Sequence, residues 1–156
     1  FANYVGTTYA IAVNSGTSGL HLCIKSLDIK NDDEVLTSPF SFVASANCIL
    51  FERAKPIFVD IDEKSLNIDI NKLEAKIKEL INKKSKFKAV LAVHLFGRPC
   101  DMDEIVELSE YYELKIIEDG CEAVGAEYLS KDSQAHCTGI SAPAGPCLSR
   151  VRHPLR

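Results

Sequence analysis

Between residues 10 and 127, short apolar runs alternate with longer stretches in which apolar residues recur every three or four positions. The runs at 10–13 (Ala-Ile-Ala-Val), 34–37 (Glu-Val-Leu-Thr), 56–59 (Pro-Ile-Phe-Val), 88–93 (Lys-Ala-Val-Leu-Ala-Val) and 114–117 (Leu-Lys-Ile-Ile) have the length and composition of strands. Helical spacing fills the intervals. One helix opens at Ser15-Gly-Thr-Ser-Gly and runs to about Leu27, with Leu20, Cys23, Ile24 and Leu27 on one face. A small-residue helix covers Phe42 to Phe51. A third is capped by Asp69 and carries Ile70, Leu73, Ile77, Leu80 and Ile81 on its apolar face. A fourth is capped by Asp101 and runs to Tyr112, with Met102, Ile105, Val106 and Ser109 at helical spacing. Strands alternating with helices of these lengths predict an α/β fold, a mainly parallel sheet with helices on both faces. Ligands of such sheets bind beyond the carboxyl ends of the strands, so the loops after residues 13, 37, 59, 93 and 117 are the candidate site.

Composition narrows the class. The 156 residues are 46% hydrophobic and 26% charged, as in a globular protein, and the net charge of −4 gives no general attraction to nucleic acid or to an anionic membrane. No apolar run is long enough to span a bilayer. The six cysteines form no Cys-x-x-Cys pair, and Cys23, Cys48, Cys100 and Cys121 lie in or beside apolar segments. They are expected to be buried, reduced thiols of a cytoplasmic protein. Phe1 reads as a cut point rather than a natural start.

The pattern changes near Tyr128. Residues 129–156 have three of the five arginines and three of the six prolines but only one of the thirteen lysines, and no periodicity. The expected organisation is therefore a domain over 1–128 followed by a tail, 129–156, that is unrelated to it or disordered, either poorly ordered or packed without a regular element.

Three constellations carry candidate chemistry. Asn14-Ser-Gly-Thr-Ser-Gly19 lies between a strand and a helix. Gly16 permits a tight turn, the helix start presents unpaired N–H groups, and Thr17 and Ser18 add hydroxyl donors, which together make a phosphate cradle or an ordinary capped helix. Thr37-Ser-Pro-Phe-Ser-Phe42 follows the second strand, where an aromatic could stack on a flat ring or simply pack in the core. Glu118-Asp119 ends the last strand, and successive strand residues point to opposite faces, so only one carboxylate faces the site. That carboxylate could pair with a protonated pyridine nitrogen or cap the next helix. Phosphate cradle, stacking aromatic and carboxylate, in this order at successive strand ends, are the fixtures that pyridoxal 5'-phosphate (PLP) requires.

The same residues lie in blocks that resemble the DegT/DnrJ/EryC1/StrS sugar aminotransferases. The blocks are residues 12–22 (Ala-Val-Asn-Ser-Gly-Thr-Ser-Gly-Leu-His-Leu), 33–37, 40–47 (Phe-Ser-Phe-Val-Ala-Ser-Ala-Asn), 54–62, 93–103 (Val-His-Leu-Phe-Gly-Arg-Pro-Cys-Asp-Met-Asp) and 117–126 (Ile-Glu-Asp-Gly-Cys-Glu-Ala-Val-Gly-Ala). The resemblance implies the large domain of a fold-type I aminotransferase, incomplete here, in a homodimeric parent that transaminates a nucleotide-linked keto-sugar with glutamate as amino donor. It implies that Thr17 and Ser18, beside Gly16, hold the cofactor phosphate. It also implies that Phe42 lies over the pyridine ring, that Asp119 pairs with the ring nitrogen and that Glu122 sits near the ring hydroxyl. A Glu at this last place resembles the perosamine-synthase-like members, which aminate a 4-keto-6-deoxysugar. A structural role is favoured over a substrate role for His94 and Arg98, and packing for His21.

The departures bear on activity. The family carries its cofactor-attaching lysine in a later block, after a glycine-rich segment, and Lys131 in its Leu-Ser-Lys-Asp-Ser context does not match it. The chain by itself is expected to be inactive. The rival readings are a PLP-dependent sugar 3-dehydratase, which has histidine in place of that lysine, and a non-catalytic regulatory or binding domain on the same fold. A Rossmann-type nucleotide-binding protein is disfavoured by the lack of Gly-x-Gly-x-x-Gly after the first strand.

Overall fold

The computed structural model describes residues 1–130 and 135–137. After a single helical turn, α1 (Ala2–Val5), the chain runs α2 (Gly16–Ser26), β1 (Glu34–Thr37), α3 (Ala44–Phe51), β2 (Lys55–Phe58), α4 (Ile70–Asn82), β3 (Phe87–Val93), a 3₁₀ turn at Leu95–Gly97, α5 (Met102–Tyr111), β4 (Lys115–Asp119), β5 (Glu127–Leu129) and β6 (Ala135–Cys137). β1 to β4 form one sheet in the order β2-β1-β3-β4, and all three pairings are parallel.

Alternation along the strands divides the core into two layers. Leu36 of β1, Val90 and Ala92 of β3 and Ile116 of β4 pack with Leu73, Ile77 and Leu80 of α4 and Met102 and Ile105 of α5. Val35, Ala89, Leu91 and Ile117, their immediate neighbours in sequence, face the other way against Leu20 and Ile24 of α2 and Cys48 and Ile49 of α3. Both faces of the sheet are thus covered by helices, as the alternation predicts. The continuous apolar run 89–92 is what a strand buried on both faces needs. Asp69 caps α4 as expected, accepting from the N–H groups of Asn71 and Lys72 at 2.8 and 3.1 Å.

Five expectations are corrected. Residues 10–13 form no strand: no described strand offers them a ladder of hydrogen bonds, and Ile11 is 85% exposed. Asp101 stands at the start of α5 but its side chain caps nothing, and the positive end of the helix is met instead by Asp103 and Glu104. Ile81 turns out of the α4 face and is exposed. Cys121 is exposed, whereas Cys48 and Cys100 are buried and Cys23 half-buried, all as free thiols. Regular structure also continues past Tyr128, since β5 pairs antiparallel with β6 from Glu127↔Cys137 to Leu129↔Ala135. The rest of the expected tail, 131–134 and 138–156, lies outside the described residues.

Candidate active site

A cavity of about 350 Å³ opens at the carboxyl ends of β3 and β4. Gly16, Thr17 and Leu20 of α2, Ser41, Phe42 and Ala44 at the entry to α3, Val93 at the end of β3 with His94 and Leu95 after it, and Asp119 at the end of β4 with Cys121 and Glu122 after it line the cavity. Its volume is in the range of small-molecule sites. Of the six residues read from sequence as cofactor-binding, Gly16, Thr17, Phe42, Asp119 and Glu122 come together on this one cavity. Ser18 does not line it, and its hydroxyl lies 3.0 Å from that of Ser15.

The α2 wall is a helix start. Ser15 is extended (φ −160°, ψ 157°) and its side chain accepts from the Ser18 N–H at 3.2 Å. The turn is therefore made by Ser15, and Gly16 enters the helix without the left-handed geometry that a tight glycine turn uses. As the first two residues of α2, Gly16 and Thr17 have N–H groups with no acceptor inside the helix, at its positive end and beside the cavity.

Phe42 is 77% exposed, so it stands at the cavity mouth rather than in the core. Its carbonyl is held by the Ser45 N–H at 3.1 Å. Asp119, also in the lining, is only 6% exposed. Its carboxylate has neutral partners: the Ser45 hydroxyl donates to Oδ2 and the Cys121 N–H to Oδ1, each at 3.2 Å. Among the described residues no lysine, arginine or histidine forms an ion pair with it. The negative charge is felt nearby. The thiol of Cys23 is pushed up to about 11 and that of Cys48 to about 12, first by burial and then by Asp119. The Cys121 thiol, partly desolvated although the residue is exposed, is likewise pushed up to about 12, first by that desolvation and then by its contact with Asp119.

Glu118 points to the other side of β4, as strand alternation requires, and meets His94 with 3.3 Å between Oε2 and Nε2. His94 is wholly buried. Its Nδ1 accepts from the Cys100 N–H at 3.1 Å, so the ring proton sits on Nε2 and is donated to Glu118. Asn67 pins the same loop: its amide nitrogen donates to the carbonyls of Arg98 and Pro99 at 2.9 and 3.0 Å, and its Oδ1 accepts from the Leu95 N–H at 3.1 Å. Phe96 sits at φ 53°, in the left-handed region, and its N–H donates to Glu122 Oε2 at 2.7 Å. His94 therefore holds the cavity wall, while Arg98 is exposed and, among the described residues, its side chain donates to the Lys64 carbonyl at 3.4 Å. His21 is half-buried outside the cavity lining, 2.6 Å from Glu52 and edge-on to Phe51. Ser41, Ser45 and Asn67 were not read from the sequence as site residues. Ser41 and Ser45, four residues apart around a helix start, carried a signal that composition alone does not separate from a small-residue helix.

A parallel sheet with helices on both faces and a cavity at its carboxyl ends makes this an α/β protein, and its structural neighbours place it in the fold-type I aminotransferase class. Comparison with known proteins is specific: the model of the DegT/DnrJ/EryC1/StrS aminotransferase family matches residues 1–139, and the chain belongs to that family. It is 43% identical over 133 residues to the GDP-perosamine synthase of Caulobacter vibrioides, covering 85% of this chain and 34% of that protein. Among solved structures it resembles DesV of S. venezuelae at 32% identity and a TM-score of 0.79, covering 90% of this chain and 35% of that one. It also resembles a GDP-4-keto-6-deoxymannose-3-dehydratase with a trapped PLP-glutamate geminal diamine, at 28% identity and a TM-score of 0.77, covering 91% and 36%. The chain thus spans about a third of the length of these relatives.

Proposed function

We propose that this chain provides one wall of the cofactor site of a PLP-dependent enzyme that transaminates a nucleotide-linked keto-sugar, with glutamate as amino donor, in a homodimeric parent protein. The observation that carries the reading is Asp119, a buried carboxylate that faces a cavity of ligand size with only neutral partners. A buried charge without a counter-charge is costly, and a protonated pyridine nitrogen supplies one. The free N–H groups of Gly16 and Thr17 suit a phosphate on the α2 side of the cavity, with the Thr17 hydroxyl beside them. Phe42 at the mouth suits a flat ring.

When bound, the cofactor supplies an electron sink that labilises bonds at the carbon carrying the amino group. Asp119 would pair with the ring nitrogen and favour its protonated form, Phe42 would stack on the ring, and the α2 N–H groups would hold the phosphate. Glu122, held by the Phe96 N–H, lies on the same wall to receive the ring hydroxyl. No lysine lines the cavity among the described residues. These 156 residues are proposed to bind the cofactor without covalent attachment and to lack turnover of their own. A second reading, a PLP-dependent sugar 3-dehydratase, is supported by the likeness to the dehydratase structure.

The test is incubation with PLP and borohydride, followed by mass mapping, and in parallel with PLP, glutamate and a nucleotide-linked 4-keto-6-deoxysugar. Saturable PLP binding with no single modified lysine and no amino sugar formed is the expected result. One stoichiometrically modified lysine, or turnover above a no-protein control, overturns the non-covalent reading.

A further inference from the structure

Two of the residues that line the cavity, Phe42 and Asp119, are both tied to one residue that does not line it. Ser45 is 2% exposed and sits in the first turn of α3. Its N–H donates to the Phe42 carbonyl at 3.1 Å, and its hydroxyl donates to Asp119 Oδ2 at 3.2 Å, bridging residues 74 positions apart in sequence. The Ser41 hydroxyl lies 2.8 Å from the same Ser45 oxygen. A hydroxyl has one proton, and that of Ser45 is given to the carboxylate, so Ser41 must be the donor to Ser45. The direction of the chain is fixed: Ser41 to Ser45 to Asp119. Its outer end, Ser41, lines the cavity.

We infer that Ser45 is a positioning residue for Asp119, holding its carboxylate in one rotamer aimed into the cavity, and that Ser41 polarises the Ser45 hydroxyl for that purpose. Three points of the geometry support it. Oδ1 is occupied by the Cys121 N–H, two residues along the same chain, so Ser45 is the contact that ties the carboxylate to a different element of the fold. The Ser45 hydroxyl has no role in helix formation, because the α3 start is made by backbone bonds from Ser45, Ala46 and Asn47 to Phe42 and Val43. Donors in a chain polarise one another, so the Ser41 bond strengthens the bond to the carboxylate. The placement of Asp119 is a property of this chain's own residues and does not depend on the proposed cofactor; its consequence for the cofactor rests on the function proposed above.

The experiment has a cofactor-free arm and a cofactor arm. In the first, three-bond couplings to the Asp119 side-chain carboxyl carbon report its χ1 in the unliganded chain. Wild type should show one rotamer, Ser45→Ala averaged couplings, and Ser45→Thr, which restores the hydroxyl, one rotamer again. Ser41→Ala, which leaves the core contacts of α3 intact, should show partial averaging and serves if Ser45→Ala does not fold. A single unchanged Asp119 rotamer in Ser45→Ala, or in Ser41→Ala alone if only that variant folds, overturns the inference. In the second arm, pyridoxamine 5'-phosphate is titrated calorimetrically. Ser45→Ala should weaken it about three- to tenfold, the size of one lost hydrogen bond, and should have no further effect in an Asp119→Asn background. Equal losses in both backgrounds would mean that Ser45 does not act through Asp119. If wild type binds no pyridoxamine phosphate while the first arm gives the expected rotamers, the proposed function fails and the positioning role stands.

Discussion

Replacing Asn67 by alanine should loosen the cavity wall from behind. Asn67 is 3% exposed and its side chain makes three hydrogen bonds, two from its amide nitrogen to the carbonyls of Arg98 and Pro99 and one to Oδ1 from the Leu95 N–H. The two carbonyls belong to an exposed and a half-buried residue, so water can reach them after the truncation. Leu95 is buried and its N–H would be left unpaired. One orphaned buried donor costs about 1–3 kcal/mol, and two bonds exchanged for water about 0.5–1 kcal/mol each. The expected loss is about 3 kcal/mol. With a urea slope of about 2 kcal/mol/M for a domain of this size, the midpoint should fall by roughly 1.5 M. Because the three bonds converge on the loop from Leu95 to Pro99, native-state exchange of the Leu95 and Gly97 amides should accelerate more than that of Val90 or Leu91 in β3. A midpoint shift below about 0.3 M, with Leu95 exchange unchanged, would refute the reasoning, since it would mean the loop is held without Asn67.

Ile11→Asp should change stability by less than about 0.5 kcal/mol in this chain, because the side chain is exposed and its backbone unpaired; a loss above 2 kcal/mol in chemical denaturation would mean that residues 10–13 do pair. Glu122→Ala removes the acceptor of the Phe96 N–H and should broaden the Phe96 amide resonance, while Glu122→Gln, which keeps an acceptor oxygen, should leave it sharp. Cys121, pushed up to about 12 by burial and then by Asp119, should react with iodoacetamide at pH 8 more slowly than a free cysteine despite its exposure, and Asp119→Asn should speed it; equal rates in the two proteins would contradict the contact. The thiols of Cys48 and Cys100 rise from 9.0 to about 12 on folding. The folded state therefore holds their protons where the unfolded state releases them, so stability is full below pH 9 and falls as pH rises from 9 towards 12. Cys100→Ala should flatten that decline in a denaturation series, and an identical slope would argue against it.

What the sequence disclosed and what it withheld have physical causes. Residues 89–92 announce a central strand because burial on both faces demands an unbroken apolar run, and Asp69 announces a helix start because its cap is a local contact. Local pattern does not extend to partners. Residues 10–13 have a strand's composition, but a strand exists only through its neighbour. Asp101 has a capping residue's identity without the bond. The convergence of Gly16, Thr17, Phe42, Asp119 and Glu122 was legible because parallel sheets gather their ligand loops at one end. Ser45, Asn67 and the partners of His94 were not, since each acts across 6 to 74 residues through side-chain geometry that sequence spacing does not encode.

The central claim is that the Asp119 carboxylate awaits a cationic ring nitrogen. Calorimetric titration of wild type and Asp119→Asn with pyridoxamine 5'-phosphate, and with its analogue bearing carbon in place of that nitrogen, tests it most directly. The account predicts that the substitution weakens the natural compound by about 2 kcal/mol or more, roughly 30-fold in Kd, and leaves the carbon analogue unaffected. Equal affinity of the two proteins for pyridoxamine phosphate, or no saturable binding by wild type, would contradict it.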